Sequence, residues 1–139
     1  MADDIHWKKE YEIGITEIDN QHRNFLILIN NIHAYAAGKY KILALKRLVE
    51  ELTLYAKYHF FSEENHMLEI AYPLYNEHVR LHEDLLSSFS EMIFDTDCTN
   101  TDVHKLHTFL LDWFKTHTIT EDKKLSEYEK TLIENAKVG

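Results

Sequence analysis

Residues 42–69, ILALKRLVEELTLYAKYHFFSEENHMLE, form the longest segment of the chain with a regular helical pattern. Inward positions recur at alternating spacings of three and four, the period of a helix face that packs against a core. They are Leu45, Leu48, Leu52, Tyr55, His59, Ser62 and His66. The pattern predicts a long helix whose inner face is apolar at one end and carries histidine at the other.

Three further segments have the same period. The first predicted helix covers about residues 20–37, with Asp19 as its N-cap and Gly38 at its C-terminal end. The third predicted helix begins near Pro73, which suits a first helical turn, and the fourth opens at Thr101. Short connections force neighbouring helices to run antiparallel.

The sequence therefore predicts an all-α fold, namely an up-down-up-down antiparallel four-helix bundle in a single domain, residues 1–139. The first 18 residues lack helical periodicity but are apolar enough to pack as an extended arm. A polar segment at about residues 122–136 predicts a short additional helix at the C-terminal end.

Composition excludes several classes of protein. The 139 residues include three Gly and one Pro, too few for the turns of a β-sandwich or barrel. A net charge of −9 argues against nucleic-acid binding, and the single cysteine excludes a disulfide framework. No apolar segment reaches the roughly 18 residues of a membrane span, and the charged N-terminus lacks a signal core. We therefore expect a cytoplasmic protein.

Histidine is unusually frequent, with ten in the chain. Five occupy inward positions, and every predicted helix contributes at least one of them: His22, His59, His78, His82 and His117. One buried histidine is usually an ordinary hydrogen-bonded core residue, but five without partners would be costly. A metal ion would supply a partner to all of them at once.

Position along the helices places these histidines at one level. His22 lies near the start of the first helix, and His59 near the end of the second. His78 and His82 lie near the start of the third helix, and His117 near the end of the fourth. In an antiparallel bundle these four places share one end, so the side chains are expected to converge.

Two carboxylates accompany the histidines. Glu63 follows His59 by four residues on the same helix face, and Asp122 follows His117 by five. Asp122 reaches the other ligands only if the last helical turn loosens. Five imidazoles and two carboxylates exceed the four ligands of one zinc site, so the set predicts two metals with bridging carboxylates. Mixed imidazole and carboxylate ligands favour iron over manganese or zinc.

The ordered set of motifs resembles the hemerythrin family, and in particular its single-domain bacterial members. The matching residues span nearly the whole chain. They are Trp7, Gly14-Ile15, Ile18-Asp19 and Gln21-His22, then HFFSEE at 59–64, Tyr72-Pro73, His78, His82, and Trp113 with His117 and Asp122. Five histidines match no ligand of the family: His6, His33, His66, His104 and His107. His66 is interpreted as a packed or surface residue, with contact to a metal ligand as the alternative, and His104 and His107 are interpreted as structural.

The resemblance implies a non-haem di-iron centre that binds dioxygen reversibly. By this resemblance, three histidines hold one iron, which is then coordinatively full: His78, His82 and His117. His22 and His59 hold the second iron, which keeps one position open for dioxygen.

The same resemblance assigns Glu63 and Asp122 as bridges between the two irons, together with an oxo or hydroxo group. The implied function is oxygen storage, transport or delivery, and the protein itself is not an enzyme. Dioxygen is the expected ligand. An oxygen-consuming enzyme is one candidate recipient, and the sequence does not identify it.

The implied dioxygen pocket is lined by Phe25, Phe60, Trp113, Phe114 and Thr118. The family often has leucine at position 114 and isoleucine at position 118. Phe114 is expected to narrow the pocket, and the hydroxyl of Thr118 to admit water and accelerate oxidation.

Two alternatives stay open beside oxygen carriage. One is an enzyme, namely a di-iron oxygenase, oxidase or peroxidase, although such bundles are usually rich in Glu and carry Glu-x-x-His pairs. The other is an oxygen or redox sensor, for which an output domain would be expected, and the 139 residues leave no room for one. The histidine-rich ligand set favours carriage.

Overall fold

The computed structural model describes residues 6–38, 41–95 and 100–138, and all regular structure in these ranges is helical. The four main helices are α1 (Thr16–Ala37), α2 (Ile42–Glu69), α3 (Tyr75–Asp95) and α4 (Asn100–Thr116). A fifth, α5 (Lys123–Val138), corresponds to the predicted C-terminal helix. Helix α1 packs against α2 and α4, and α2 packs against α3. The all-α prediction is confirmed, whereas the alternating direction of the helices stays a prediction.

Helices α4 and α5 are joined by a π-helical segment, His117–Asp122, rather than by a loop. The residues on either side of this segment, Thr116 and Lys123, both have right-handed helical backbone angles. The chain therefore remains helical from α4 into α5, with one widened turn between them. A π turn leaves more residues per turn than an α turn and is frequently found at functional sites.

The arm before α1 is fixed by the side chain of Asp19. Helix α1 begins at Thr16, so the prediction that Asp19 is its N-cap is wrong. The Asp19 carboxylate instead accepts hydrogen bonds from the backbone N–H groups of Ile13 and Gly14, at 2.9 and 3.1 Å. Gly14 has a φ of +88°, a conformation that glycine adopts without steric cost. Asp19 therefore fixes the arm through these two hydrogen bonds and is not the N-cap of α1.

The connection from α2 to α3 has the hydrogen bonds of a Schellman motif. Tyr72 N–H donates to the Met67 carbonyl, and Ala71 N–H donates to the Leu68 carbonyl. Ala71 has a φ of 52°, in the left-handed region where glycine is usual. Helix α3 then begins at Tyr75, two residues later than Pro73, which lies in the turn.

The buried apolar side chains form two clusters. The larger cluster fills the space between α1, α2, α3 and α4, and includes Phe25, Leu52 and Phe114. The smaller cluster packs the arm and α5 against the α2–α3 connection, and includes Ile13 and Leu125. In the described part of the chain, no helix combines the length and apolarity that a membrane crossing requires. The histidine-rich site lies among these helices.

Candidate metal centre

The structure brings all seven predicted ligands together in the interior. They come from the start of α1, the second half of α2, the start of α3, and the π segment that follows α4. Each is almost fully buried: His22, His59, Glu63, His78, His82, His117 and Asp122. Helices α1, α2 and α3 and the π segment after α4 therefore all contribute side chains to one buried polar cluster.

The cluster divides into two overlapping groups of potential metal ligands. The first, the three-histidine group, contains Glu63, His78, His82 and His117. The second, the two-histidine group, contains His22, His59, Glu63 and Asp122. In each group, one ligand atom from every residue lies within 4.8 Å of the others. Glu63 belongs to both groups, so its two oxygens face different sets of imidazoles.

The Glu63 carboxylate is oriented by three of the imidazoles around it. Its Oε1 lies 2.5 Å from His78 Nε2 and 3.2 Å from His82 Nε2. Its Oε2 lies 3.5 Å from His59 Nε2. One oxygen therefore faces the three-histidine group and the other faces the two-histidine group, as a bridging carboxylate requires.

Asp122 reaches the cluster because the helix widens before it. The π segment starts at His117 and ends at Asp122, which brings a residue five positions later onto the face of the histidine. Asp122 Oδ1 lies 3.1 Å from both His117 Nε2 and His78 Nε2, and its Oδ2 lies 3.1 Å from His22 Nε2. The predicted loosening of this turn is thus present, and Asp122 also spans both groups.

Several buried polar atoms in the cluster make no hydrogen bond within the described residues: His59 Nε2, Glu63 Oε2, and both Oδ atoms of Asp122. Buried polar groups are normally hydrogen-bonded, so each such atom requires an explanation. All of them are lone-pair donors that converge on one interior space. A bound cation would satisfy them together, and the residues therefore fit a metal site.

The carboxylates and imidazoles shift one another's protonation. Burial lowers the pKa of His78 and His117, but Asp122 and Glu63 outweigh it and raise these pKa values to about 9 and about 10. Burial is the main cause that lowers the pKa of His59 to about 3, and the nearby imidazole of His22 lowers it further. Burial opposes ionisation of both carboxyls, yet the surrounding imidazoles hold the pKa of each below its usual range. The two carboxylates therefore stay anionic, as metal ligands must.

Two residues outside the predicted ligand set accept hydrogen bonds from the Nδ1 atoms of histidines in the cluster. Gln21 Oε1 lies 2.7 Å from His59 Nδ1, and the Gln21 side chain is buried. Glu64 Oε2 lies 2.8 Å from His82 Nδ1. In both cases Nδ1–H donates to an oxygen, which leaves Nε2 as a free lone pair that faces the cluster. Both residues belong to sequence motifs, Gln21-His22 and HFFSEE at 59–64, but their spacing indicates no role for either of them.

The predicted pocket residues include Phe25, Phe114 and Thr118, of which Phe114 lies beside the two-histidine group. The Phe114 ring is edge-on to His22, with ring centroids 6.1 Å apart. Phe25 stacks on Phe114 at 6.2 Å, and both rings are buried. Thr118 is buried as well, one residue after the histidine at the start of the π segment. Phe114 thus gives His22 an apolar neighbour in addition to its polar partners in the cluster.

The other two predicted pocket residues stack on the three-histidine group. Phe60 lies parallel to His82 with centroids 3.9 Å apart, and Trp113 lies parallel to His117 at 4.7 Å. Phe60 also lies beside His59, at 5.7 Å. Both rings therefore stack on imidazoles of the cluster. Their place in the wall of a dioxygen pocket stays a prediction.

The remaining histidines lie outside both groups: His6, His33, His66, His104 and His107. His66 bonds to Glu129 at 3.0 Å and ties α2 to α5. His33 and His107 stack on each other, with centroids 4.1 Å apart. His104 is exposed. These positions agree with the interpretation of these residues as packed or surface side chains.

A model of the hemerythrin HHE cation-binding domain matches residues 13–128, which is most of the chain and includes all seven cluster residues. The chain therefore belongs to the hemerythrin family, whose domain implies non-haem iron and the binding of oxygen. The buried cluster of histidines and carboxylates agrees with a metal site of that kind.

Among individual proteins, the chain is similar to bacteriohemerythrins. It is 25% identical to that of Clostridium acetobutylicum over 126 residues, which cover 85% of this chain and 95% of the relative. It is 28% identical to that of Stenotrophomonas maltophilia over 127 residues, 91% of this chain and 82% of the relative. A bacteriohemerythrin of Pseudomonas aeruginosa is 29% identical over 116 residues, 84% of this chain and 75% of the relative.

Proposed function

We propose that this protein binds dioxygen reversibly at a pair of non-haem iron ions, for the storage, transport or delivery of oxygen. The observation that carries this proposal is the division of the buried cluster into two ligand groups that share Glu63. When bound, the iron pair would supply the electrons for reversible binding of dioxygen. The chain's own residues hold the ions, orient the imidazoles and exclude water.

The ligand assignment follows the two groups. We propose that His78, His82 and His117 hold one iron. His22 and His59 hold the other, which has one histidine fewer and therefore keeps a position for an external ligand.

Glu63 and Asp122 are the proposed bridges. Each has oxygens close to imidazoles of both groups, and each is completely buried. Their anionic charge offsets part of the positive charge of two cations in an interior site. The pKa of each carboxyl is held low by its neighbours, so both are available as anionic ligands at neutral pH.

The side chains around the two-histidine group support carriage by keeping the site dry. Phe25 and Phe114 are buried and apolar, and Phe114 lies directly beside His22. An apolar wall excludes the water and proton donors that would promote loss of bound oxygen in a reduced form. Thr118 adds one hydroxyl near this wall, and we propose that it faces the pocket.

We propose oxygen carriage rather than enzymatic oxidation because of the ligand type. The cluster contains five imidazoles and two carboxylates. Oxygen-activating di-iron bundles use more carboxylates, commonly in Glu-x-x-His pairs. Neutral imidazoles stabilise the ferrous state better than anionic donors do, and a stable ferrous state is what reversible binding requires.

We also propose that residues 1–139 form one domain and that the four main helices alternate in direction. The cluster supports both statements. It takes side chains from early in α1, late in α2, early in α3 and just after α4, and these places share one end only in an up-down-up-down arrangement.

The direct test is repeated oxygenation. Protein loaded with ferrous iron under anaerobic conditions is exposed to dioxygen and then returned to low oxygen, while the optical spectrum is recorded. Reversible binding predicts a charge-transfer band that appears and disappears over several cycles. A single irreversible change, with consumption of a reductant during turnover, would favour the oxidase or oxygenase alternative.

A further inference from the structure

The two metal-ligand groups differ in the charge of the side chain that accepts a hydrogen bond from a histidine Nδ1. In the three-histidine group, His82 Nδ1 donates to the carboxylate of Glu64 at 2.8 Å. In the two-histidine group, His59 Nδ1 donates to the neutral amide oxygen of Gln21 at 2.7 Å. The two hydrogen bonds are nearly equal in length, so the partners of His59 and His82 differ mainly in formal charge.

The second histidine of the two-histidine group receives no anionic partner either. His22 Nδ1 is buried and makes no hydrogen bond with any described residue. Neither imidazole of this group therefore donates from Nδ1 to a carboxylate, whereas one imidazole of the other group does. The asymmetry follows the division into two groups that the ligand geometry defines.

The side chain of Gln21 is buried, and the backbone that carries it is fixed against α2. The Gln21 backbone carbonyl accepts a hydrogen bond of 2.9 Å from the hydroxyl of Tyr55. Tyr55 lies one turn before His59 on α2, so this bond fixes α1 against α2 at the level of the site. A side chain of the same shape with a carboxylate could therefore take the same position.

The charge behind an imidazole changes its strength as a ligand. A carboxylate that accepts from Nδ1–H gives the ring partial imidazolate character and raises its basicity, and this stabilises a more highly charged metal ion. An amide oxygen orients the ring equally well without adding negative charge. The ferrous state is therefore more stable for an iron bound by the ring that donates to an amide than for an iron bound by the ring that donates to a carboxylate.

We propose that Gln21 and Glu64 are positioning residues that give the two irons unequal preferences for the ferric state. The neutral Gln21 favours ferrous iron in the two-histidine group, and the anionic Glu64 favours ferric iron in the three-histidine group. This inference rests on the proposed di-iron function. It adds that oxygen binding stays reversible partly because position 21 is an amide and not a carboxylate.

The test uses two isosteric substitutions of opposite charge in the iron-loaded protein. Gln21→Glu should lower the midpoint potential of the iron pair, and Glu64→Gln should raise it. Mutation of such an outer partner typically costs about tenfold or more in metal affinity or activity, and we expect an effect of similar size on the ferrous-to-ferric ratio. A tenfold change in the ferrous-to-ferric ratio corresponds to about 59 mV for a one-electron couple. Spectroelectrochemistry gives the potential, and iron analysis gives the metal content.

Matched controls make the same charge changes on the surface of the same helices. Asn20→Asp adds a negative charge to α1 at an exposed position next to Gln21, and Glu50→Gln removes one from an exposed position of α2. Both controls should leave the potential within error of the unmodified protein. A shift in a control as large as in its partner variant would mean that overall charge is the cause, and would overturn the proposal.

The remaining outcomes are decisive as well. Unchanged potentials in both site variants, or shifts in the same direction, would overturn the tuning role and leave the proposed function intact, provided that both variants hold iron and oxygenate. If Gln21→Glu takes up no iron, the sign of the shift in Glu64→Gln decides. Failure of the unmodified protein to hold an iron pair would instead refute the proposed function itself.

Discussion

At the scale of the residue, the site depends on which imidazoles reach the shared carboxylate. His82 is fully engaged: its Nε2 lies 3.2 Å from Glu63, its Nδ1 bonds to Glu64, and its ring stacks on Phe60. His104 is a histidine of the same chain that is exposed on α4 and lies outside both ligand groups. The pair offers a matched comparison of two identical substitutions.

His82→Ala should lose most of its iron and part of its stability. Binding of a metal to the folded state alone stabilises it, by about 4 kcal/mol when free metal exceeds the Kd a thousandfold, so loss of iron lowers the free energy of unfolding. Iron analysis and denaturant unfolding measure both effects. His104→Ala should keep the full iron content and optical spectrum, and if it also emptied the site, the assignment of ligands would be wrong.

A second prediction for single residues concerns Thr118, whose hydroxyl is buried one residue after His117. Replacement by isoleucine removes a polar group from the proposed pocket wall and should slow oxidation of the oxygenated protein without changing its iron content. The measurement is the decay of the oxygenated band at fixed pH.

Trp113→Ala and Phe114→Ala should change the decay rate in the opposite direction. Both should accelerate the decay, because each removes a ring from the proposed apolar wall. An unchanged decay rate in Thr118→Ile would show that Thr118 does not face the pocket. A loss of iron in Trp113→Ala would instead reflect its stacking on His117.

The candidate ligands could be proposed from sequence because residue type and spacing carry that information. Histidines at inward helical positions, with Glu63 one turn after His59, restrict the chemistry strongly. The partners behind the imidazoles could not be found in the same way. Gln21 of α1 contacts His59 of α2, and nothing in the spacing of the chain indicates which side chain accepts the hydrogen bond from Nδ1–H.

At the scale of the element, the turn after α2 contains a conformational cost that one substitution can remove. Ala71 occupies the left-handed position of a Schellman motif, with a φ of 52°. This conformation costs an L-residue about 1–2 kcal/mol, and glycine avoids it. Ala71→Gly should therefore raise the free energy of unfolding by about 1 kcal/mol. This value is the lower end of that range, because glycine loses more conformational entropy on folding than alanine does.

Denaturant unfolding of the metal-free protein checks this value without a contribution from bound iron. Ala34→Gly, at an exposed position inside α1, is the control and should destabilise by about 1 kcal/mol. Destabilisation of Ala71→Gly by the same amount would contradict the left-handed conformation of residue 71.

The helices were predictable to different degrees for physical reasons. The bounds of α2 agree with the prediction because its apolar period is continuous from end to end. The predicted start of α1, residue 20, is too late, because a carboxylate before an apolar period is typical of an N-cap. Asp19 instead accepts hydrogen bonds from backbone N–H groups of the arm. The looser turn at Asp122 was inferred from the five-residue spacing, and the structure has a π segment there.

At the scale of the whole molecule, the metal-ligand cluster connects every main helix. Side chains from α1, α2, α3 and the segment after α4 all meet at Glu63 and Asp122. The apolar cores alone leave several buried polar atoms without hydrogen bonds. Metal binding is therefore expected to stabilise the packing of all four main helices.

The most direct test of the account is the number of irons per chain. Two ligand groups that share Glu63 predict about two irons per molecule. Native mass spectrometry of protein reconstituted anaerobically with excess ferrous iron, supported by bulk iron analysis, measures this number. The account predicts that the fully loaded species carries two irons. A saturated stoichiometry of one iron, or zinc in the site despite ample iron, would contradict it.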